Sequence, residues 1–348
     1  MIATAGRFVG AGFAHVVASI PSPSSGTLSI GPLKIHAYGL MIALGVVAGV
    51  WLLGRRLEQD GIGTRDDANS ISVWAVIAGV IGSRLYHVAT DWSKFAHHLT
   101  NIPKIWQGGL GIPGGLLFGI STGAWIMRRK GIPIARAFDA AAPAIAIAQA
   151  IGRWGNYWNQ ELFGRPTKLP WGLEIDDAHL PEGFAHGTLF QPTFLYESLS
   201  NFVLAAVLIV VGKRTKLRPG HLMALFIMGY GVIRFFVEGL RIDEAHHVGG
   251  LRWNQWVALG AVVGGAIYLA VSNARAADVI EAETAAELEA EDEAIEEADA
   301  ADEAAEIEAG TETEPDAAAP DTEIVAEPDA EPADPAAENG DELPSSHD

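Results

Sequence analysis

Seven apolar stretches, at 38–53, 68–89, 108–127, 134–151, 193–211, 220–237 and 251–271, follow one another with short polar breaks. Each approaches the roughly 20 residues that an α-helix needs to cross a hydrocarbon core. Lipid offers no partner for free backbone N–H and C=O groups, so only helices or a closed barrel can span it, and apolar runs of this length specify helices. The sequence therefore predicts an all-α integral membrane protein: a bundle of about seven transmembrane helices with a small loop region on its outer face.

Charge divides the chain. The net charge is -20 although the mean hydropathy is +0.20. Up to Arg275, the last basic residue, 23 Lys and Arg stand against 15 Asp and Glu; beyond it there are 28 acidic residues and no basic one. The segment 276–348 is mostly Ala, Glu, Asp and Pro, without an aromatic residue, and cannot bury a core. It is expected to be disordered, with its Ala/Glu repeats transiently helical. At the other end, residues 1–30 form a lead-in whose apolar run Phe8 to Ala18 reads as a short membrane-associated helix or as a signal peptide. The absence of cysteine excludes disulfides, thiolate catalysis, iron–sulfur clusters and cysteine zinc sites. The histidines show no metal-binding spacing, so neither a metal nor a cofactor is expected, and no nucleic-acid partner either.

Basic clusters set the orientation. Arg55 and Arg56, then Arg128, Arg129 and Lys130, then Lys213, Arg214, Lys216 and Arg218 share one face, which the positive-inside rule makes cytoplasmic. The acidic tail then lies in the cytoplasm. Gly111, Gly115, Gly119 and Gly123 form a ridge for close helix packing, and Gly45 with Gly49 and Gly260 with Gly264 repeat the spacing. The doubled glycines Gly108-Gly109 and Gly114-Gly115 around Pro113 predict a broken or re-entrant segment on the outer face.

Ionisable residues in spans are costly and mark function. Here Arg84, Arg153, Glu197, Arg234, Glu238 and Arg241 collect toward the outer side. Tyr230, Arg234 and Glu238 are four apart and Arg241 three further, so one helical stripe carries all four inward. Between the fourth and fifth spans, Gly152 to Arg165 is dense in Gly, Asn, Arg and Glu. Glycine lets backbone amides approach a ligand, and the arginine fork suits phosphate oxygens. These features predict an outward cationic pocket at headgroup level, with an anionic phospholipid as ligand. Tyr38, beside His36 at the mouth of the first span, is an interfacial anchor or part of that pocket. A transporter or channel for an anionic lipid or solute would carry polar residues through the whole bilayer or show paired half-repeats. A scaffold displaying the tail would not need outer arginines.

The stretch Gly152 to Gly164 reads Gly-Arg-x-Gly-Asn-aromatic-x-Asn-x-Glu-x-x-Gly and resembles the signature of the bacterial prolipoprotein diacylglyceryl transferases, with Tyr157 where Phe is usual. Ile35-His-Ala-Tyr-Gly-Leu-Met41, Gly82-Ser-Arg-Leu-Tyr86, Gln191-Pro-Thr-Phe-Leu-Tyr-Glu197 and Tyr230-Gly-Val-Ile-Arg-Phe-Phe-Val-Glu238 match in the family's order, over about residues 20 to 272. The acidic tail resembles the variable extensions of actinobacterial members. The resemblance implies a multi-pass enzyme of the bacterial cell membrane, with a transferase domain at 31–275. It implies transfer of the diacylglyceryl group of phosphatidylglycerol to the lipobox cysteine thiol of a prolipoprotein signal peptide, releasing glycerol phosphate. Arg153, Arg234, Tyr38 and Glu238 would be catalytic, and the first two would hold the phosphate. Asn156, Asn159, Glu161, Gly164, Tyr230, Arg84 and Arg241 would bind substrate. Many family members carry a histidine, proposed as base, where this chain has Pro113, which leaves His36 or arginine-assisted thiol ionisation to replace it.

Overall fold

A computed structural model describes residues 19–30, 33–96, 98–105 and 108–311. The run Phe8 to Ala18 lies outside the described residues. The chain divides into two units, Met1–Asp278 and Val279–Asp348.

In the first unit a hairpin of β1 (Thr27–Ile30) and β2 (Leu33–His36) leads into α1 (Ala37–Gln59). α2 (Arg65–Thr90) follows, and a single turn α3 (Trp92–Phe95) opens the loop to α4 (Ile112–Arg129). Next come α5 (Ile134–Gly152), the short α6 (Trp154–Asn159), α7 (Thr193–Arg214) and α8 (His221–Leu240). A second small hairpin, β3 (His247–Val248) and β4 (Leu251–Arg252), precedes α9 (Trp253–Thr311). Among the described residues, six segments are long and apolar enough to cross a membrane: α1, α2, α5 with α6, α7, α8 and the first part of α9. The remaining expected span is α4, an 18-residue helix closed by Arg128 and Arg129; at 1.5 Å per residue it extends about 27 Å. Large apolar side chains such as Val47, Leu117, Val203 and Phe236 are exposed around the bundle, as lipid-facing residues are and as the surface of a soluble domain is not.

Local sequence accounts for the helix boundaries. Thr64 and Asp67 form a reciprocal capping box at the start of α2, with Asp66 and Asp67 in the first turn. Pro113 occupies the first turn of α4, where its missing N–H costs no hydrogen bond. This corrects the expected broken segment: the irregular backbone ends at Gly111, with Gly108 and Gly109 at positive φ, while Gly114 and Gly115 lie inside a regular helix.

Small residues set the packing. Cβ atoms built at Gly45 and Gly49 of α1 would fall 2.7 Å from the Ala148 carbonyl oxygen and 3.2 Å from that of Ala144, so α1 and α5 run antiparallel at very close range. α5 is lined with buried alanines from Ala137 to Ala150 around a fully buried Pro143 and forms the centre of the bundle. α2 and α4 touch backbone to backbone along Gly82, Gly114, Gly79, Gly115 and Gly119. Gly260 and Gly264 depart from the expectation, since among the described residues nothing from another element lies within 4 Å of a Cβ built on either. They border an apolar groove beside Met223 and Ile227, and Gly265, one residue on, makes the contact with Met228 instead. In the second unit α9 runs on through the Ala/Glu repeats to Thr311.

The packing of α2 against α4 yields a prediction. A Cβ at Gly82 would meet the Gly114 carbonyl oxygen at 2.5 Å, and one at Gly114 would collide with the Gly82 carbonyl. Gly82→Ala and Gly114→Ala should each destabilise the protein by about 1–3 kcal/mol, read as a lowered unfolding temperature in detergent. Gly39→Ala, with open space around it, should leave that temperature unchanged.

Candidate active site

Helix ends from across the bundle meet at one place. α1 contributes Tyr38 from its first turn, α5 Gln149 and Gly152 from its last, and Arg153 and Asn156 follow at the α5–α6 junction. Tyr230, Arg234 and Arg241 come from the last turns of α8 and just beyond, and Asn254 from the start of α9. They line a cavity of about 650 Å³, whose apolar side is formed by Ile42, Ile112, Val257, Ala258 and Ala261.

Charge is arranged around two buried carboxylates. Glu197, one turn into α7, accepts Arg153 Nη2 at 2.8 Å and the Tyr230 hydroxyl at 3.3 Å, and its second oxygen lies 3.6 Å from Arg234 Nη1. Glu238, with no solvent exposure, faces three arginines: Arg234 Nη2 at 2.6 Å, Arg252 Nε at 2.8 Å and Arg241 Nη1 at 3.5 Å. Asn254 Nδ2 donates to the same carboxylate at 3.2 Å. Arg241 and Arg252 also bind Asp243, with contacts of 2.7 and 2.9 Å. Four guanidiniums thus face three carboxylates, a net positive cluster. Among the described residues, Arg234 Nη1 is buried and donates no hydrogen bond, and Gln149 Oε1 is buried and accepts none.

The loop after α6 is held in strained backbone. Gln160 and Leu162 have φ of 50° and 60°, and Leu162 lines the cavity. A left-handed leucine is uncommon and persists only where its surroundings fix it. Here the Leu162 carbonyl accepts the Thr193 hydroxyl at 2.5 Å, the Gln160 side chain bonds Asp176, and Asn156 Nδ2 donates to Glu161 Oε1 at 2.9 Å. Gly164 docks this loop on the end of α8: its N–H bonds the Gln191 carbonyl, and a Cβ there would lie 3.1 Å from the Leu240 carbonyl oxygen.

The structure brings together Arg153, Arg234, Tyr38, Glu238, Asn156, Tyr230 and Arg241 at or directly behind the cavity wall. Asn159 and Glu161 line an adjoining cleft with His36, and Gly164 acts through backbone packing. Arg84 is elsewhere. Its guanidinium donates to the carbonyls of Asn101, Ile102, Gly108 and Gly109 and ties down the loop before α4, away from the residues that line the cavity. Arg252 takes its place in the charge cluster. Sequence reasoning gave no role to Arg252, Asn254, Gln149 or Leu162. The lone amide in the apolar end of α5, and an arginine between Gly249-Gly250 and a span, were the available signals.

Three relatives are similar over most of this region. A model of the family described as prolipoprotein diacylglyceryl transferase matches residues 25–271. The phosphatidylglycerol–prolipoprotein diacylglyceryl transferase 2 of Streptomyces coelicolor is 47% identical over 260 residues, covering 74% of this chain and 81% of that protein. The phosphatidylglycerol–prolipoprotein diacylglyceryl transferases of Frankia alni and Cutibacterium acnes are each 47% identical, over 261 and 266 residues. They cover 74% of this chain and 68% and 88% of their own lengths.

Asp243 lies in the loop beyond α8. Burial works to raise its carboxyl, but hydrogen bonds and charge from Arg241, with the charge of Arg252, outweigh this and hold it below the usual carboxylate range. Its contribution to stability is therefore complete above an unfolded-chain value near about 4 and is lost as pH falls through the lower folded value. Asp243→Asn should flatten the acid limb of stability against pH below about pH 4, measured by thermal unfolding across that range.

Proposed function

The chain belongs to the prolipoprotein diacylglyceryl transferases, and from that premise we propose that it transfers the diacylglyceryl group of phosphatidylglycerol to the lipobox cysteine thiol of a prolipoprotein, in the arginine-lined cavity. The observation that carries the assignment to this cavity is its cluster of four arginines facing three carboxylates, in which Arg234 Nη1 is 3.6 Å from Glu197 and donates no hydrogen bond among the described residues. A phosphodiester complements that excess, and planar guanidinium forks match its oxygens. Gln149 Oε1 offers a free acceptor for a headgroup hydroxyl.

In the reaction the cysteine sulfur forms a bond to the glyceryl carbon as the bond from that carbon to the phosphate oxygen breaks. The electron pair leaves on glycerol phosphate, and the thiol proton ends on that phosphate or on water. Arg153 and Arg234 stabilise the growing negative charge on the leaving group. Glu197 and Glu238 orient the arginines, because each is already engaged by two or more cationic donors. Tyr38 and Asn156 line the same cavity. Tyr230 is a positioning residue, donating its hydroxyl to Glu197. The transmembrane domain at 31–275 supplies every one of these groups, and we assign the cavity to the outer leaflet. The basic clusters at the other helix ends support that orientation and put the tail from 276 in the cytoplasm.

Lysine keeps the charge of arginine and loses the fork. Arg153→Lys and Arg234→Lys should each slow transfer to a lipobox peptide by ~10²-fold, with glycerol phosphate release as readout. Normal rates in both variants would remove the phosphate from these two residues.

A thiol with a pKa near about 8.5 is mostly protonated at neutral pH, and nearby arginines favour its thiolate. His36 sits in the adjoining cleft, its Nδ1 3.3 Å from the Thr27 hydroxyl, and not on the cavity wall. His36→Gln should therefore lose far less than the roughly 10²-fold that removal of a general base costs. Its pH–rate profile should also match the wild type, with no limb near about pH 6.5. Loss of transfer together with such a limb in the wild type would make His36 the base.

A further inference from the structure

Arg56 is a charged residue with no evident structural partner. It lies in the last turn of α1, at the end of the bundle opposite the arginine cavity, where positive charge suits the helix dipole. The dipole accounts for the charge and not for the burial: the side chain is only 8% exposed. Among the described residues it forms no ion pair, and its Nε, shielded from solvent, donates no hydrogen bond. A buried guanidinium left in this state is strongly unfavourable.

It lines a recess of about 280 Å³ between the ends of α1 and α7, the start of α5 and the turn before α8. The charged groups facing it are Arg136 and Lys216, both exposed, with Asp60 and Asp139. Asp139 is already committed, accepting the Gly220 and Met223 N–H groups at 2.6 and 2.8 Å and so tying α5 to the start of α8. Asp60 is exposed at the rim and makes no ion pair among the described residues. Gly212 closes one side, and a Cβ built on it would be 3.5 Å from Arg56 Nη2. Three cations, one of them buried and without an ion pair among the described residues, thus face two carboxylates across a polar recess, leaving it one net positive charge.

We propose that this recess is a second anion site, centred on Arg56, that takes a phosphate group. Arg56 supplies the buried fork, while Arg136 and Lys216 close on the outer oxygens. The phosphate belongs either to the headgroup of an anionic phospholipid in the adjacent leaflet or to a soluble phosphate, since both present the same oxygens to the fork. The site is separate from the arginine cavity and shares no lining residue with it.

The test uses the full chain purified in neutral detergent, in buffer free of phosphate and anionic lipid. Unfolding temperature is followed while inorganic phosphate is added, and in parallel in phosphatidylcholine nanodiscs with and without phosphatidic acid. Without anion, Arg56→Gln should match or exceed the wild type, because it removes a buried unpaired charge. With saturating anion the order should reverse, the wild type gaining about 2–4 °C more than the variant. The outer cavity contributes equally to both proteins and cancels in that difference. The double variant Arg136→Gln/Lys216→Gln changes exposed residues only. It should keep the anion-free temperature and weaken apparent phosphate affinity several-fold, and it carries the test if Arg56→Gln does not fold. A response to phosphatidic acid alone makes a lipid headgroup the source, and a response to phosphate alone makes it a soluble anion. Equal shifts for wild type and variants in both arms would overturn the proposal.

Discussion

Two carboxylates almost without solvent access, Glu197 and Glu238, hold four arginines in register at one end of the helices. Neither side of this arrangement is tolerable alone: a buried carboxylate or guanidinium without its counter-charge carries a desolvation cost of several kcal/mol. The geometry around the cavity follows from satisfying that requirement. α7 is fixed to the α5–α6 junction by the Glu197–Arg153 pair, and α8 to the start of α9 by Glu238–Arg252. With Asp243 counted, four arginines face three carboxylates, so the network carries one net positive charge.

Such a network requires helix ends brought to within side-chain reach, and small residues make this possible. The glycines of α1 rest on the carbonyls of Ala144 and Ala148, so Tyr38 arrives beside Gly155 and the cavity. On the far side, the glycine contacts between α2 and α4 put Ile112 on the cavity wall. Arg84 fixes the loop leading to it by occupying four backbone carbonyls. Close packing and charge placement are thus one problem, since widening either helix pair would move a wall of the site.

The sequence conveyed depth well and direction poorly. Apolar length located the helices, and the order of polar motifs located the end at which Arg153, Arg234 and Glu238 gather. Which way a side chain points around its helix depends on neighbours far along the chain. Arg84 lies at the expected end, yet it turns toward a loop and donates to four of its backbone carbonyls. Arg252 was passed over because it sits in a short hairpin, where an arginine has no periodicity to betray it. The spacing of Gly260 and Gly264 matched a packing ridge, but a Cβ built on either meets no other element within 4 Å among the described residues. Leu162 could not have been found by residue type, since its left-handed backbone is imposed by Thr193, Asn156 and the Gly164 contact together.

The place of Arg252 and Asn254 bears on how the protein is made. They are the last residues of the cluster to leave the ribosome, at the start of the final span. Until then the Glu238 carboxylate has Arg234 and Arg241 but neither Arg252 nor Asn254 among its partners. A chain with only α1 to α8 made therefore holds Glu238 against two guanidiniums, with one carboxylate oxygen still lacking the Arg252 and Asn254 donors that arrive at the start of α9. The hydrogen-bond shell of Glu238 is thereby completed only when the last span of the chain has been made.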